Sequence, residues 1–284
     1  MQFFTRQHPG WDEPCVQSGG LVFGLRAAGF DDLLSIIHGG ADALDRVRRF
    51  LAHCSAGEAL DLDIVPLRAP IPHPGKIICI GLNYRDHAAE ARLPLPEVPT
   101  VFAKYANTVT GHRHPIVLPR NSAKPDYEAE FAVVIGKGGR HIPEADWRDH
   151  VFGYTIVNDV SARDFQMQTS QWTIGKTFDT FAPMGPLLVT ADEIDDPHSL
   201  AISLTLNGEV MQNSNTSNLV FGVPKLIAFL SSVMTLSPGD IISTGTPAGV
   251  GFAKKPPRWL RPGDEVAIEI AGLGRLVNPV IAEP

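Results

Sequence analysis

Glu128 and Glu130 stand two apart in the run Tyr127-Glu128-Ala129-Glu130-Phe131-Ala132-Val133-Val134-Ile135. On a strand both carboxylates leave one face, while Ala129, Phe131, Val133 and Ile135 leave the other. Two carboxylates on one face of a core-like strand repel each other, and burying them is costly unless a cation lies between them. Asp159 ends a second apolar run, Val151 to Asn158, and a carboxylate at a strand end suits a site built at a sheet mouth. All three are hard oxygen donors with no His or Cys companion. That set suits Mg²⁺, Mn²⁺ or Ca²⁺ and argues against zinc. Ordinary readings stand beside this one: surface glutamates on a solvated edge strand, and Asp159 or Ser161 as a helix N-cap.

Other residue types could complete such a site. His87 and Glu90 lie three apart on a short predicted helix and share a face, as a general base and its orienting carboxylate would; a surface helix with incidental charges reads the same way. Lys176, between Gly175 and Thr177, is a cation able to meet an oxyanion, though a lone lysine is more often solvated. The turn Thr244-Gly245-Thr246-Pro247-Ala248-Gly249-Val250-Gly251 lets backbone N–H groups approach a carboxylate, and it lacks the lysine pattern of a nucleotide-binding P-loop. His112 and His114, in a polar loop, read as surface residues.

The elements that must position these groups are mostly short strands. Asn207-Gly208 and Gly272/Gly274 mark two hairpins, and Pro238-Gly239-Asp240 turns into the strand Ile241-Ile242-Ser243. Helices are few: Asp86 to Ala91, and Val223 to Val233, which is entered through Pro224. Residues 1–72 read as a small N-terminal α/β unit, with a strand near Leu21 and helical spacing from Ala41 to Leu51. It is followed by a connector whose Pro66, Pro70, Pro72 and Pro74 make a poor interior for any regular element. Residues 73–284 read as the main domain, a mixed, largely antiparallel β architecture with peripheral helices.

Composition excludes several classes. At 284 residues, 44% hydrophobic and 19% charged, the chain can build a sizeable core. A net charge of −7 gives nucleic-acid binding no electrostatic footprint. Cys15, Cys54 and Cys79 match no zinc spacing and read as reduced thiols. With no signal-peptide form and no apolar run of about 20 residues, no membrane role and a cytoplasmic location are expected.

Several separated motifs, in order, resemble the fumarylacetoacetate hydrolase family. They are Gly81-Leu82-Asn83-Tyr84-Arg85-Asp86-His87 with Glu90; Phe102-Ala103-Lys104; Asp126-Tyr127-Glu128-Ala129-Glu130; Gly153 to Asp164; Gly175-Lys176-Thr177-Phe178-Asp179; and Pro238 to Pro247. The resemblance covers about residues 73 to 284. It implies a mainly β (α+β) fold, a mixed β-sandwich roll with peripheral helices, which is usually dimeric and carries a divalent ion in its mouth. By matching position, it makes Glu128, Glu130 and Asp159 the metal ligands and sets Lys176 against a developing enolate. Thr246 would bind a substrate carboxylate or neighbouring oxygen, His87 with Glu90 would form a water-activating dyad, and Arg163 and Gln166 would be substrate-binding side chains. A fourth acidic ligand of the founding hydrolases has no clear counterpart, which resembles the acylpyruvase-like branch.

A 2-oxo acid chelated through its carboxylate and keto oxygen leaves an enolate when the bond at C3 breaks. The leading expectation is therefore a Mg²⁺-type hydrolase cleaving the C–C bond of an acylpyruvate-like 2,4-dioxo acid. Oxaloacetate decarboxylation or tautomerisation, or isomerisation of a 2-hydroxymuconate-type acid, are alternatives on the same site. A non-catalytic binding protein is the reading from another class. A small 2-oxo acid and a second copy of the chain are the expected partners.

Overall fold

The computed structural model describes residues 1–54, 57–62 and 64–284. The strand that carries the acidic pair, Ala129–Ile135, lies deep in a large mixed sheet. It pairs antiparallel with Val151–Asn158 on one side and Ile241–Ser243 on the other, and every residue in it is buried. The solvated-edge reading of this strand is thereby overturned. Beyond Ile241–Ser243 the sheet continues through Ile77–Gly81 to Thr100–Lys104; beyond Val151–Asn158 it runs through Ala182–Thr190.

Past Ala182–Thr190 come three strands of the N-terminal residues: Gln2–His8, Trp11–Ser18 and Leu21–Gly24. The first joins through the register Gln2↔Val189 and Phe3↔Leu188, so the N-terminal strands extend the large sheet. The helix Leu33–His53 packs beside them. Asp32 caps its start by accepting the Ser35 N–H at 2.7 Å, and Gly40 (φ 53°) breaks it in the middle. The proline-rich connector, expected to hold no regular element, contributes Leu67–Arg68, hydrogen-bonded to Arg6 and Thr5. A two-residue strand at a sheet margin leaves the flanking prolines outside the ladder.

A second, five-stranded sheet runs Glu209–Asn215, Ala201–Leu206, Glu265–Ile270, Gly274–Ala282 and Ile116–Leu118. Both hairpins form where expected, with Asn207 (φ 54°) and Gly208 (φ 82°) in the left-handed pair that a tight turn needs. Phe131, Val133 and Ile135 belong to one hydrophobic core together with Leu204 and Ile268 of this second sheet. Ala132 and Val134, on the opposite face, belong to another core together with Ile36, Ile37 and Val47 of the N-terminal helix.

His112 departs from its expected surface place. It is fully buried, with its ring Nδ1 accepting the Val277 N–H at 3.1 Å and its carbonyl accepting from Leu67. It links the connector to the second sheet, a long-range role that loop polarity does not signal. His114 is half-buried, and burial lowers its pKa. Cys15 and Cys79 are buried free thiols. No helix among the described residues is long and apolar enough to cross a membrane.

Candidate active site

Strand register brings the three carboxylates together. Ala129 lies opposite Asn158, so Glu128 sits across from Asp159, one residue beyond the partner strand's end. The Asp159 N–H donates to the Glu128 carbonyl at 2.9 Å, and the Asn158 side-chain oxygen accepts the Glu128 N–H at 3.1 Å. Glu128, Glu130 and Asp159 are all buried, each with a carboxylate oxygen within 4.8 Å of the others. Neither Asp159 nor Ser161 caps a helix; the next helix, Arg163–Gln166, starts after Ala162 without a side-chain cap.

Buried carboxylates need partners, and two of these three have them. Lys176 Nζ lies 2.8 Å from Glu128 and 2.6 Å from Asp159. Lys104 Nζ lies 2.6 Å from the other Asp159 oxygen and donates to the Val160 carbonyl at 2.9 Å. Arg163 bridges Glu128 (2.6 Å) and Asp126 (2.8 Å) and donates to Gln166 at 2.9 Å. Glu130 pairs with no cation among the described residues. The Ser243 hydroxyl and the Gly245 N–H both donate to its Oε2, leaving the lone pairs of Oε1 for another partner.

The titration shifts follow this division. Burial would raise the Glu128 pKa, but Lys176 and Arg163 outweigh it and hold it low. Burial pushes Glu130 well up, and the charges of Asp159 and Glu128 push it further. Burial lowers Lys104 against the pull of Asp159; in Lys176 it is outweighed by Asp159 and Glu128, so that group is raised. By formal count three cations (Lys104, Arg163, Lys176) face four carboxyl groups (Asp126, Glu128, Glu130, Asp159). Glu130, the one without a cation partner among the described residues, is pushed toward its protonated form, so a bound cation would take the place of its proton. An all-oxygen donor set with such a carboxyl at its convergence fits a hard divalent ion, held by Glu128, Glu130 and Asp159.

The glycine-rich turn does carry N–H groups to carboxylates, and the carboxylates are the protein's own. Gly245 has φ 101°, and a Cβ there would lie 2.8 Å from the Ile80 carbonyl, so only glycine lets its N–H reach Glu130. The Gly249 N–H donates to both Glu90 oxygens at 3.0 Å. Glu90 in turn lies 3.4 Å from His87 Nδ1 on the helix Arg85–Ala91. Burial works to raise the Glu90 carboxyl, but His87 and Gly249 outweigh it and hold it low. Asp86 fastens this helix by accepting from the Ser214 hydroxyl and the Ala248 N–H.

One cavity of about 220 Å³ is lined by His87, Glu128, Glu130, Arg163, Gln166, Lys176 and Thr246. Of the residues expected from sequence, Asp159 lies beneath it, held by Lys104 and Lys176, and Glu90 lies behind His87. Thr246 accepts from Gln212 Nε2 at 2.9 Å, so its own hydroxyl proton remains available to donate. Sequence reasoning assigned no part to Lys104, Asp126, Ser243 or Gln212. Asp126 continues the i, i+2 series of Glu128 and Glu130, a signal that was there to use. It accepts from the Gly251 and Phe252 N–H groups, at 2.8 and 3.0 Å, and so shapes the cavity wall.

Comparison with known proteins agrees with this geometry. Residues 76–281 match the profile of the fumarylacetoacetate (FAA) hydrolase C-terminal domain. A mitochondrial oxaloacetate tautomerase of Xenopus laevis is 47% identical over 273 residues, covering 94% of this chain and 84% of the relative. Its human counterpart is 45% identical over 271 residues, 93% and 85% of the two chains. Among solved structures, maleylpyruvate hydrolase from Sphingobium sp. SYK-6, in complex with a manganese(II) ion and pyruvate, superposes with a TM-score of 0.84. It is 31% identical, with full coverage of both chains.

Proposed function

This chain belongs to the fumarylacetoacetate hydrolase family, and from that premise we propose that it interconverts the enol and keto forms of a small 2-oxo acid, oxaloacetate first among them, with Mg²⁺ as its ion. The observation that carries the reading is the uncompensated Glu130, set in one cavity with Lys176, His87 and Thr246. The names of the tautomerase relatives support the reaction, and the manganese and pyruvate of the structural neighbour support the ion class and the acid.

An ion held by Glu128, Glu130 and Asp159 would supply a Lewis acid for the acid's carboxylate and 2-oxygen. Thr246 would donate to the carboxylate. Lys176, at the cavity floor, would balance the charge on the 2-oxygen as the enol gives up its O–H proton. His87, oriented by Glu90, would deliver a proton to C3. In the reverse direction His87 removes it. Loss of enol absorbance of oxaloacetate should be accelerated by the Mg²⁺-loaded protein, abolished by a chelator and restored by Mg²⁺ or Mn²⁺. Oxalate, shaped like a pyruvate enolate, should inhibit. Indifference to both chelator and oxalate would remove this reading.

C–C hydrolysis of an acylpyruvate-like acid is the second reading. The His87–Glu90 pair favours it, since such a pair can activate water, and so does the likeness to a maleylpyruvate hydrolase. Release of pyruvate from an acylpyruvate, lost in His87→Ala, separates it from tautomerisation alone. A homodimer belongs to the proposal, and sedimentation tests it. The compartment does too: the curated relatives are named mitochondrial, whereas sequence led to the cytoplasm, and fractionation decides.

A further inference from the structure

The polar groups of the cavity crowd its floor, and its outer half is apolar. Trp172 meets Phe102 edge to face, ring centroids 5.7 Å apart at 68°, and the Lys176 ammonium lies 5.0 Å from the Phe102 centroid. An aromatic wall thus rises directly from the group that faces the reacting oxygen. Gly81 leaves room for it: a Cβ there would lie 2.3 Å from Trp172 Cζ3, so the indole occupies the space a side chain would take. Met167 and Phe252 complete the mouth, 67% and 52% exposed, a large apolar area to leave in water around a site for a fully charged acid. The cavity's cations are already engaged: Arg163 by Asp126 and Glu128, Lys176 by Glu128 and Asp159; His87 faces Glu90. Among the described lining residues, a second substrate carboxylate pointing outward finds mostly hydrocarbon and no cation that lacks a carboxylate partner.

We propose that this cavity also accepts 2-oxo acids bearing an apolar substituent, aryl or branched alkyl, on C3, and that Trp172, seated on Phe102 in the space left by Gly81, determines that specificity. The inference rests on the enol–keto reading and extends its substrate class beyond oxaloacetate. The chemistry is unchanged: with phenylpyruvate enol, the O–H proton is released, C3 gains a proton, and nothing is oxidised or reduced.

The test compares kcat/KM for phenylpyruvate and for oxaloacetate tautomerisation in the wild type, Trp172→Ala and Trp172→Phe. Loss of the indole's buried apolar contact should lower the phenylpyruvate-to-oxaloacetate ratio by about tenfold or more, and Trp172→Phe should recover most of it. A loss of general activity would lower both substrates together and leave the ratio alone. A ratio unmoved by Trp172→Ala overturns the proposal, as does a wild type that accelerates oxaloacetate but not phenylpyruvate. Should Trp172→Ala fail to fold, Trp172→Leu, which keeps bulk without the aromatic face, carries the same readout. If neither acid is turned over, the enol–keto reading fails, and calorimetry still judges the wall. Phenylpyruvate binding the Mg²⁺-loaded wild type more tightly than pyruvate, with the difference lost on removing the indole, supports it; equal affinities overturn it.

Discussion

Along one face of the Ala129–Ile135 strand, Ala132 and Val134 close a dry core that the N-terminal helix completes, whereas Glu130, and Glu128 just ahead of the strand, face the cavity. The backbone is the same and so is the side-chain period; what differs is what covers each end. At the aliphatic end, burial is favourable by itself and needs only shape. At the acidic end, burial is unfavourable by itself and is tolerated because Lys104, Lys176 and Arg163 are brought in from other elements, with Glu130 left over. A rigid central strand anchored by packing at one end can hold at the other a buried carboxyl that no cation partners, and its raised pKa marks the place where an ion could displace a proton.

The comparison breaks most severely at Glu130. Glu130→Gln keeps shape and removes the carboxyl that would ionise on binding a cation, so Mg²⁺ affinity by calorimetry should fall by more than about 100-fold, since even partners of metal ligands cost 10–100-fold. Activity should fall with it. The metal-free melting temperature should hold or rise, because a buried ionisable group with no cation partner has gone; a drop would mean that the glutamate is structural. His87→Ala comes next. It should lower the rate by roughly 10²–10⁴ and leave Mg²⁺ affinity unchanged, since the imidazole lies outside the carboxylate trio.

At the aliphatic end the effect is on stability alone. Ile36→Ala, in the fully buried face of the N-terminal helix, should cost about 3 kcal/mol in denaturant unfolding and leave metal affinity within about twofold. Coupled loss of metal binding would show that the two ends are not separable. The smallest effect is expected at Glu90. Its folded pKa lies below the unfolded value near 4.5, so its contribution to stability is present above that value and is lost as pH falls through the folded pKa. Replacing it by Gln should flatten the acid side of the melting-temperature profile slightly, because a carboxylate that is 24% exposed is partly screened by water. A profile identical to wild type would mean that Gly249 and His87 do not favour the ionised form.

Much of this candidate site was legible in advance. The i, i+2 spacing singled out Glu128 and Glu130 beside an edge-strand reading, the end of an apolar run marked Asp159 beside an N-cap reading, and i, i+3 spacing paired His87 with Glu90 beside a surface-helix reading. Lys176, Thr246, Arg163 and Gln166 needed the family resemblance, because a single cation or hydroxyl carries no periodic signal. Lys104 was quoted in a motif without a part to play, since its partner Asp159 lies 55 residues away. His112 was misread for the same kind of reason: its partners, Leu67 and Val277, come from distant parts of the chain.

Local geometry is a property of consecutive residues. So the amino-acid order alone settled the hairpins at Asn207-Gly208 and Gly272/Gly274, the face shared by the two glutamates, and the hard-oxygen character of the donors they offer. Charge balance and coverage are sums over everything that surrounds a group, and only the tertiary structure settled those. It decided that Ser243 and Gly245 take one oxygen of Glu130 and that the cations near the trio neutralise its neighbours. It also decided that the N-terminal strands extend the sheet, leaving the acidic end of a buried strand as the place where an ion and a 2-oxo acid could meet.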